Sequence, residues 1–240
     1  MTDTPKQQII ALGGGGFSME PDNLALDRYI LEQANKPDPT VAFLPTASGD
    51  SPEYIVNFYS AFRTLGCYPS HLSLFKPHTA DLESYIMEQD VIYVGGGNTR
   101  SMLALWREWE LDLILRDALE AGIVLAGLSA GAICWFQSGT TDSMPDKLHV
   151  LPGLGFLEGS ACPHYDSEPK RRPAYQRHIQ AGEMAPGYAL DDSAGIHYIN
   201  GEPYRFIASR QNANAYYVSQ GDGKVQEVQQ DMVRLPTYRP

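Results

Sequence analysis

Along the first half of the chain, short continuous apolar runs alternate with longer stretches whose apolar residues recur every three or four positions. "QQIIAL" (7–12), "HLSLF" (71–75) and "IVLAGL" (123–128) have the length and apolar content of strands, "TVAFLPTAS" (40–48) reads as a strand and loop, and "DVIYVGGGN" (90–98) as a buried strand ending in glycines. Between them, "NLALDRYILEQA" (23–34), "PEYIVNFYSAFRTLG" (52–66), "ADLESYIMEQ" (80–89) and two segments at about 99–107 and 110–121 have helical spacing. This alternation predicts a three-layer α/β/α sandwich around a mostly parallel sheet. In such a sheet, ligands bind at the carboxyl ends of the strands.

After about residue 135 the pattern changes. One charged helix is expected within 164–183. From 187 to 228, short apolar runs are broken by Asn200-Gly201 and by Gly221-Asp222-Gly223, dipeptides and triplets that favour hairpins. No Gly-, Ser- or Pro-rich linker separates the two parts. The reading is therefore one domain over residues 1–240, its parallel sheet extended by antiparallel strands toward the C-terminus.

Composition narrows the function classes. The 240 residues are 43% hydrophobic, enough for a substantial core. Lys+Arg 18 against Asp+Glu 29 gives a net charge of −11, the wrong sign for a general nucleic-acid binder. No stretch reaches the roughly 18 uninterrupted apolar residues of a membrane span, and "MTDTPKQQII" lacks the layout of a signal peptide. The expectation is a cytoplasmic protein with no membrane or nucleic-acid partner. Cys67, Cys134 and Cys162 have neither disulfide-framework nor zinc spacing, and no His pair has H-E-x-x-H spacing, so no metal is expected.

Candidate chemistry gathers at the strand ends. "GLSAG" (127–131) puts Ser129 between two glycines directly after a buried strand, the G-x-S-x-G pattern of a nucleophile elbow. A helix N-cap is the ordinary alternative. Gly95-Gly96-Gly97-Asn98 ends another strand and could present backbone N–H groups to an oxyanion, Gly97 together with Ala130 being the candidate donors. His164, in "ACPHYDSE", is a candidate strand-end base, with a surface loop residue as the ordinary alternative. Asp191 and Asp192, after "GYAL", compete for the role of acid with Asp142, Asp146, Asp166 and Glu168. The Gly13–Gly16 loop matches the dinucleotide fingerprint G-x-G-x-x-G incompletely, because Ser18 stands where the third Gly belongs. It reads better as a turn that lets the chain pass close to a neighbouring loop.

Taken in order, "VGGGNT", "GLSAGA", "PHY" and "ALDDSAG" resemble the peptidase E/cyanophycinase family of serine peptidases, family S51, over most of the chain to about residue 200. The resemblance implies a class I glutamine amidotransferase-like fold with a Ser nucleophile in place of Cys. It implies Ser129 as nucleophile, His164 as base, Gly97 and Ala130 as oxyanion donors with Asn98 nearby, and Asp191 as acid. It implies no cofactor. Two motifs differ from the family's: Ile133 follows "SAGA" where aspartyl dipeptidases have Asn, and "GGGN" replaces the "GGDQ" of cyanophycinases.

The resulting expectation is a serine exopeptidase acting on small peptides, Asp-Xaa dipeptides among them. Arg171, Arg172 and Arg177 could offer guanidinium groups to a substrate carboxylate. A homodimer is left open. Two other readings remain at this point: an α/β-hydrolase esterase, whose chain order would be Ser, acid, His, and a non-catalytic small-molecule binding protein that uses the Gly13–Gly16 loop.

Overall fold

A computed structural model describes residues 5–239. The apolar runs form parallel strands β1 (Gln8–Leu12), β2 (Thr40–Leu44), β3 (Tyr68–His71), β4 (Val91–Val94) and β5 (Val124–Leu128), lying side by side in the order β1-β5-β4-β2-β3. Their crossovers contain helices α1 (Ala25–Glu32), α2 (Pro52–Phe62), α3 (Leu82–Met87), α4 (Thr99–Glu108) and α5 (Leu111–Glu120). Alternate residues of each strand feed two separate cores. Ile10, Leu12, Phe43 and Tyr93 pack with α1 and α2 on one face, while Ile9, Leu44, Val94 and Leu125 pack with α3, α4 and α5 on the other. This is the expected α/β layering.

The edge strand starts earlier than the apolar run suggested. Residues 68–71 pair with β2, whereas Leu72 and Leu74 are buried in the loop that follows. That loop is held by Asp50, whose carboxylate accepts the N–H groups of Leu74 and Phe75 and the Ser73 hydroxyl. A buried apolar loop can imitate a strand in a linear pattern.

The second half contains short α6 (Ala130–Ile133), strands β6 (Phe136–Met144), β7 (Lys147–Pro152) and β8 (Leu157–Cys162), helix α7 (Arg171–Gln180), then β9 (Gly187–Leu190), β10 (Ala194–Ile199), β11 (Glu202–Ala208), β12 (Ala215–Gly221), β13 (Lys224–Gln229) and β14 (Met232–Arg234). Only part of it extends the parallel sheet. β10 runs antiparallel beside β1, with β11 and β14 outside it, completing eight strands. The rest forms a separate six-stranded sheet in the order β13-β12-β9-β8-β6-β7. Trp135, Phe136, Leu157 and Ala161 join it to the core under α4 and α5, and α7 covers its other side through Tyr175 and Ile179. The hairpin signals at Asn200-Gly201 and Gly221-Asp222-Gly223 fall at the β10–β11 and β12–β13 turns.

Inside the α1 face lies a buried carboxyl, Asp27, fully excluded from solvent. Burial pushes its pKa up to about 7, only partly offset by the hydrogen bond from the Tyr93 hydroxyl at 3.2 Å. A raised folded-state pKa means that the folded chain holds the proton longer. Unfolding is therefore favoured progressively as pH rises from about 4 to about 7, and the full penalty applies above that. Relative to wild type, Asp27→Asn is expected to gain thermal stability over that window and to hold a constant advantage at higher pH. Melting curves across pH 4–9 check this, and a stability difference independent of pH would refute it.

Candidate active site

The site is assembled at the carboxyl ends of β1, β4, β5, β8 and β9. Ser129 follows β5 directly and has φ 54°, ψ −112°, a left-handed conformation that costs a non-glycine residue on the order of 1–3 kcal/mol. The sharp turn presses the backbones of Gly127 and Gly131 together, so that a Cβ on Gly127 would overlap the Gly131 carbonyl. Ser129 makes no side-chain capping bond to α6, which removes the ordinary explanation for a Ser at a helix start. The elbow geometry of the G-x-S-x-G pattern is present.

His164 lies two residues beyond β8, also with positive φ (54°). Its Nδ1 is 2.6 Å from Asp192 Oδ1, and the two side chains are 14% and 5% exposed. Burial raises the Asp192 carboxyl, but hydrogen bonds from His164 and Ser167 and the nearby Arg210 outweigh it, holding the group below the ordinary Asp value. Asp192 is therefore an ionised partner for an imidazole N–H. Its own N–H donates to Asp166 Oδ1 at 2.8 Å, which fixes the turn.

The sequence expectation had placed Asp191 against His164. In the structure Asp191 extends the β9–β12 ladder by one residue, its N–H donating to Asn214 O and its carboxylate accepting the Asn214 N–H at 2.9 Å. Successive residues of an extended chain point to opposite sides, so Asp192 is the one that reaches His164. Asp191 is buried, and burial lifts its pKa to about 6 despite the Asn214 bond. The rivals Asp142 and Glu168 both bind Arg171, at 3.1 and 2.6 Å.

Three consecutive carbonyls hold the three parts of the site together. Leu12 O accepts the N–H of Ser129, Gly13 O that of His164, and Gly14 O that of Ser193. Such close passage leaves no space for a side chain. A Cβ on Gly14 would overlap the Asp192 carboxylate and lie 3.0 Å from the His164 ring. The first glycine loop thus brings neighbouring loops together.

The second glycine loop shows a selective pattern. Gly95 N–H donates to Leu44 O, Gly96 N–H to the Tyr54 hydroxyl at 3.2 Å, and Asn98 N–H to Ala47 O at 2.7 Å. Between them, the Gly97 N–H has no acceptor among the described residues, and neither has the Ala130 N–H. Gly97 has φ 136° and is pressed on the Ala47–Ser48 peptide, a conformation and a contact that only glycine accommodates. Gly96 is packed against Ser129, so the free donors lie close to the elbow.

Other expected site residues have structural partners. Asn98 caps α4, its Oδ1 accepting the Ser101 N–H at 2.9 Å while its Nδ2 donates to Ser143 O at 3.0 Å. Arg171 is 2% exposed and binds Glu168, Asp142 and the Thr140 carbonyl. Arg172 pairs with Glu227 and lies over the Tyr165 and Tyr216 rings. All three side chains therefore have occupied polar groups, in place of the expected contacts to substrate. No group of three or more potential metal-ligating side chains occurs among the described residues. A cavity of about 750 Å³ between β7 and α7 is lined by Lys147, Arg177 and His178 among others, and by none of Ser129, His164 or Asp192. The strand-end geometry, rather than cavity size, locates the site.

A strained Ser at a strand-to-helix elbow, a His–Asp pair and two backbone N–H groups without acceptors among the described residues meet at the strand ends. Comparison with known proteins gives the family. The sequence model of peptidase family S51 matches residues 9–205, and the chain belongs to that family and is a peptidase. It is 58% identical over 222 residues to the uncharacterized peptidase YgaJ of Bacillus subtilis (strain 168), covering 92% of this chain and 96% of that one. It is 29% identical over 209 residues to peptidase E of Haemophilus influenzae (strain ATCC 51907 / DSM 11121 / KW20 / Rd), covering 81% and 89%. The crystal structure of a peptidase from an acI-B1 Actinobacterium has a TM-score of 0.72 at 17% identity, covering 96% of each chain, a likeness of fold.

Proposed function

We propose that this peptidase is a serine exopeptidase of small peptides, with Ser129, His164 and Asp192 as its triad. The observation that carries the reading is the 2.6 Å His164–Asp192 pair, tied through the Leu12–Gly14 carbonyls to the loop that bears Ser129. With Nδ1 engaged by Asp192, the His164 Nε2 is left to take the Ser129 Oγ proton as Oγ attacks the scissile carbonyl. The N–H groups of Gly97 and Ala130 receive the negative charge on the carbonyl oxygen. His164 then passes the proton to the departing amine, leaving an acyl group on Ser129. Water, deprotonated by the same imidazole, releases the acid and restores the serine. The chain order Ser, His, Asp differs from the Ser, acid, His order of α/β-hydrolase esterases.

Substrate charge is a separate question. Because Arg171 and Arg172 already face carboxylates of the protein, they add no free cation for a substrate Asp side chain. Asp-Leu and Asn-Leu are expected to be cleaved with kcat/KM values within about tenfold of each other. A new charge-assisted hydrogen bond contributes about 1.5–3 kcal/mol, or roughly 10- to 150-fold. A larger preference for Asp-Leu would show that Arg171 or Arg172 exchanges its protein partner for substrate, or that another cation such as Arg177 reaches it.

Two measurements test the proposal itself. A fluorophosphonate should form one adduct, located on Ser129 by peptide mapping. A dipeptide and tripeptide library read by mass spectrometry should show single-residue or dipeptide products. Adduct formation elsewhere, or no cleavage of any library member, would overturn the reading.

A further inference from the structure

We propose that Tyr54 is a positioning residue for the oxyanion loop, its hydroxyl holding the Gly96 N–H so that the next N–H, that of Gly97, stays free and aimed at the developing oxyanion. This rests on the serine-peptidase reading above. Of the four consecutive N–H groups from Gly95 to Asn98, two are fixed by backbone carbonyls and one is free. The remaining one, on Gly96, is held by a side chain, the hydroxyl of Tyr54 on α2. The brace is therefore sequence-encoded at a single position far from the glycine loop in the chain.

Packing makes the hydroxyl a fixed anchor. The Tyr54 ring stacks on Phe17, with centroids 5.4 Å apart and planes at 26°, and meets Phe43 edge-on at 5.0 Å. Phe17 lies directly after the first glycine loop and contacts Phe43, Phe58, Phe62 and Tyr93 as well. On the other side, a Cβ on Gly95 would come within 2.9 Å of the Tyr54 ring, so ring and glycine backbone are in close contact. An aromatic ring caged in this way has few rotamers open to it. Without the hydroxyl, the Gly96 N–H loses its partner and the 95–96 peptide can rotate, displacing Gly96 and with it the adjoining Gly97 N–H from the oxyanion position. The effect belongs to the transition state, because a ground-state carbonyl carries less charge for the donor to stabilise.

Tyr54→Phe keeps the ring and removes only the hydroxyl, which accepts the Gly96 N–H and also meets the Ser18 side chain. Its expected signature is a kcat reduced about tenfold, the value of one ordinary hydrogen bond, with KM unchanged and a melting temperature lowered by about 5 °C at most. The rate of Ser129 phosphonylation by a fluorophosphonate, whose phosphoryl oxygen needs the same donors, should fall by a similar factor. Binding of the product peptide should be unaffected. Tyr54→Leu, which also removes the ring packing, should lose melting temperature in addition to kcat. A folded Tyr54→Phe protein with wild-type kcat and phosphonylation rate would overturn the proposal, as would a change in KM alone. Absence of a Ser129 adduct in the wild-type protein would overturn the serine-peptidase reading and this inference with it. A wild-type adduct with no Tyr54→Phe effect would overturn this inference only.

Discussion

Ser129→Ala is expected to fold normally and to lose peptidase activity by a factor on the order of 10⁴–10⁶, the range found when a triad nucleophile is removed. The fold should survive because Ser129 contributes backbone geometry rather than side-chain packing: its N–H bonds Leu12 O, and its hydroxyl makes no capping bond to α6. Positive φ disfavours Ala about as much as Ser, so the elbow is no more strained than before. The measurement is kcat/KM on the fastest library peptide, with circular dichroism and a melting curve as controls for folding. The same variant should take up no fluorophosphonate. A folded Ser129→Ala protein with near-normal turnover would remove Ser129 from the mechanism.

The second large effect is expected at Asp192. Asp192→Asn keeps the shape of the side chain but replaces an acceptor with an amide that can hold the wrong imidazole tautomer, a change that costs roughly 10⁴ in the worked serine-protease triad. Asp191→Asn is the informative control. Asp191 accepts the Asn214 N–H, whereas the His164 Nδ1 partner is Asp192. The carbonyl oxygen of an Asn could still accept that bond, so Asp191→Asn should stay within about tenfold of wild type. Two adjacent aspartates with an identical change in charge would then differ by orders of magnitude. The opposite ranking would mean that the side chains exchange places in the working enzyme.

The Asp191/Asp192 ambiguity shows where linear reading stopped. "GYAL" followed by "DD" indicates a strand end with a carboxyl entering a cleft. It does not show at which residue the ladder ends. That depends on Asn214, twenty-three positions downstream, which pairs with Asp191 and so assigns Asp192 to the turn. The arginines were a similar case. "KRRPAYQR" announces positive charge near His164, but whether a guanidinium is free depends on Glu168, Asp142 and Glu227. Two of these come from strands whose sheet the sequence did not separate from the first.

What the sequence determined by itself was local and periodic. The buried parallel strands, their crossover helices, the hairpin turns at Asn200-Gly201 and Gly221-Asp222-Gly223, and the glycine-flanked Ser129 follow from side-chain spacing and from the few residues that tolerate tight turns. The tertiary structure decided everything that depends on partners distant in the chain. It divided the second half between two sheets, set Asp192 rather than Asp191 against His164, paired Arg171 and Arg172 with carboxylates, and left the Gly97 and Ala130 N–H groups without acceptors among the described residues. The physical reason is that hydrogen-bond partners and burial are properties of long-range contacts. A residue's own neighbours in sequence fix which faces it can present, and only the packed chain fixes what those faces meet.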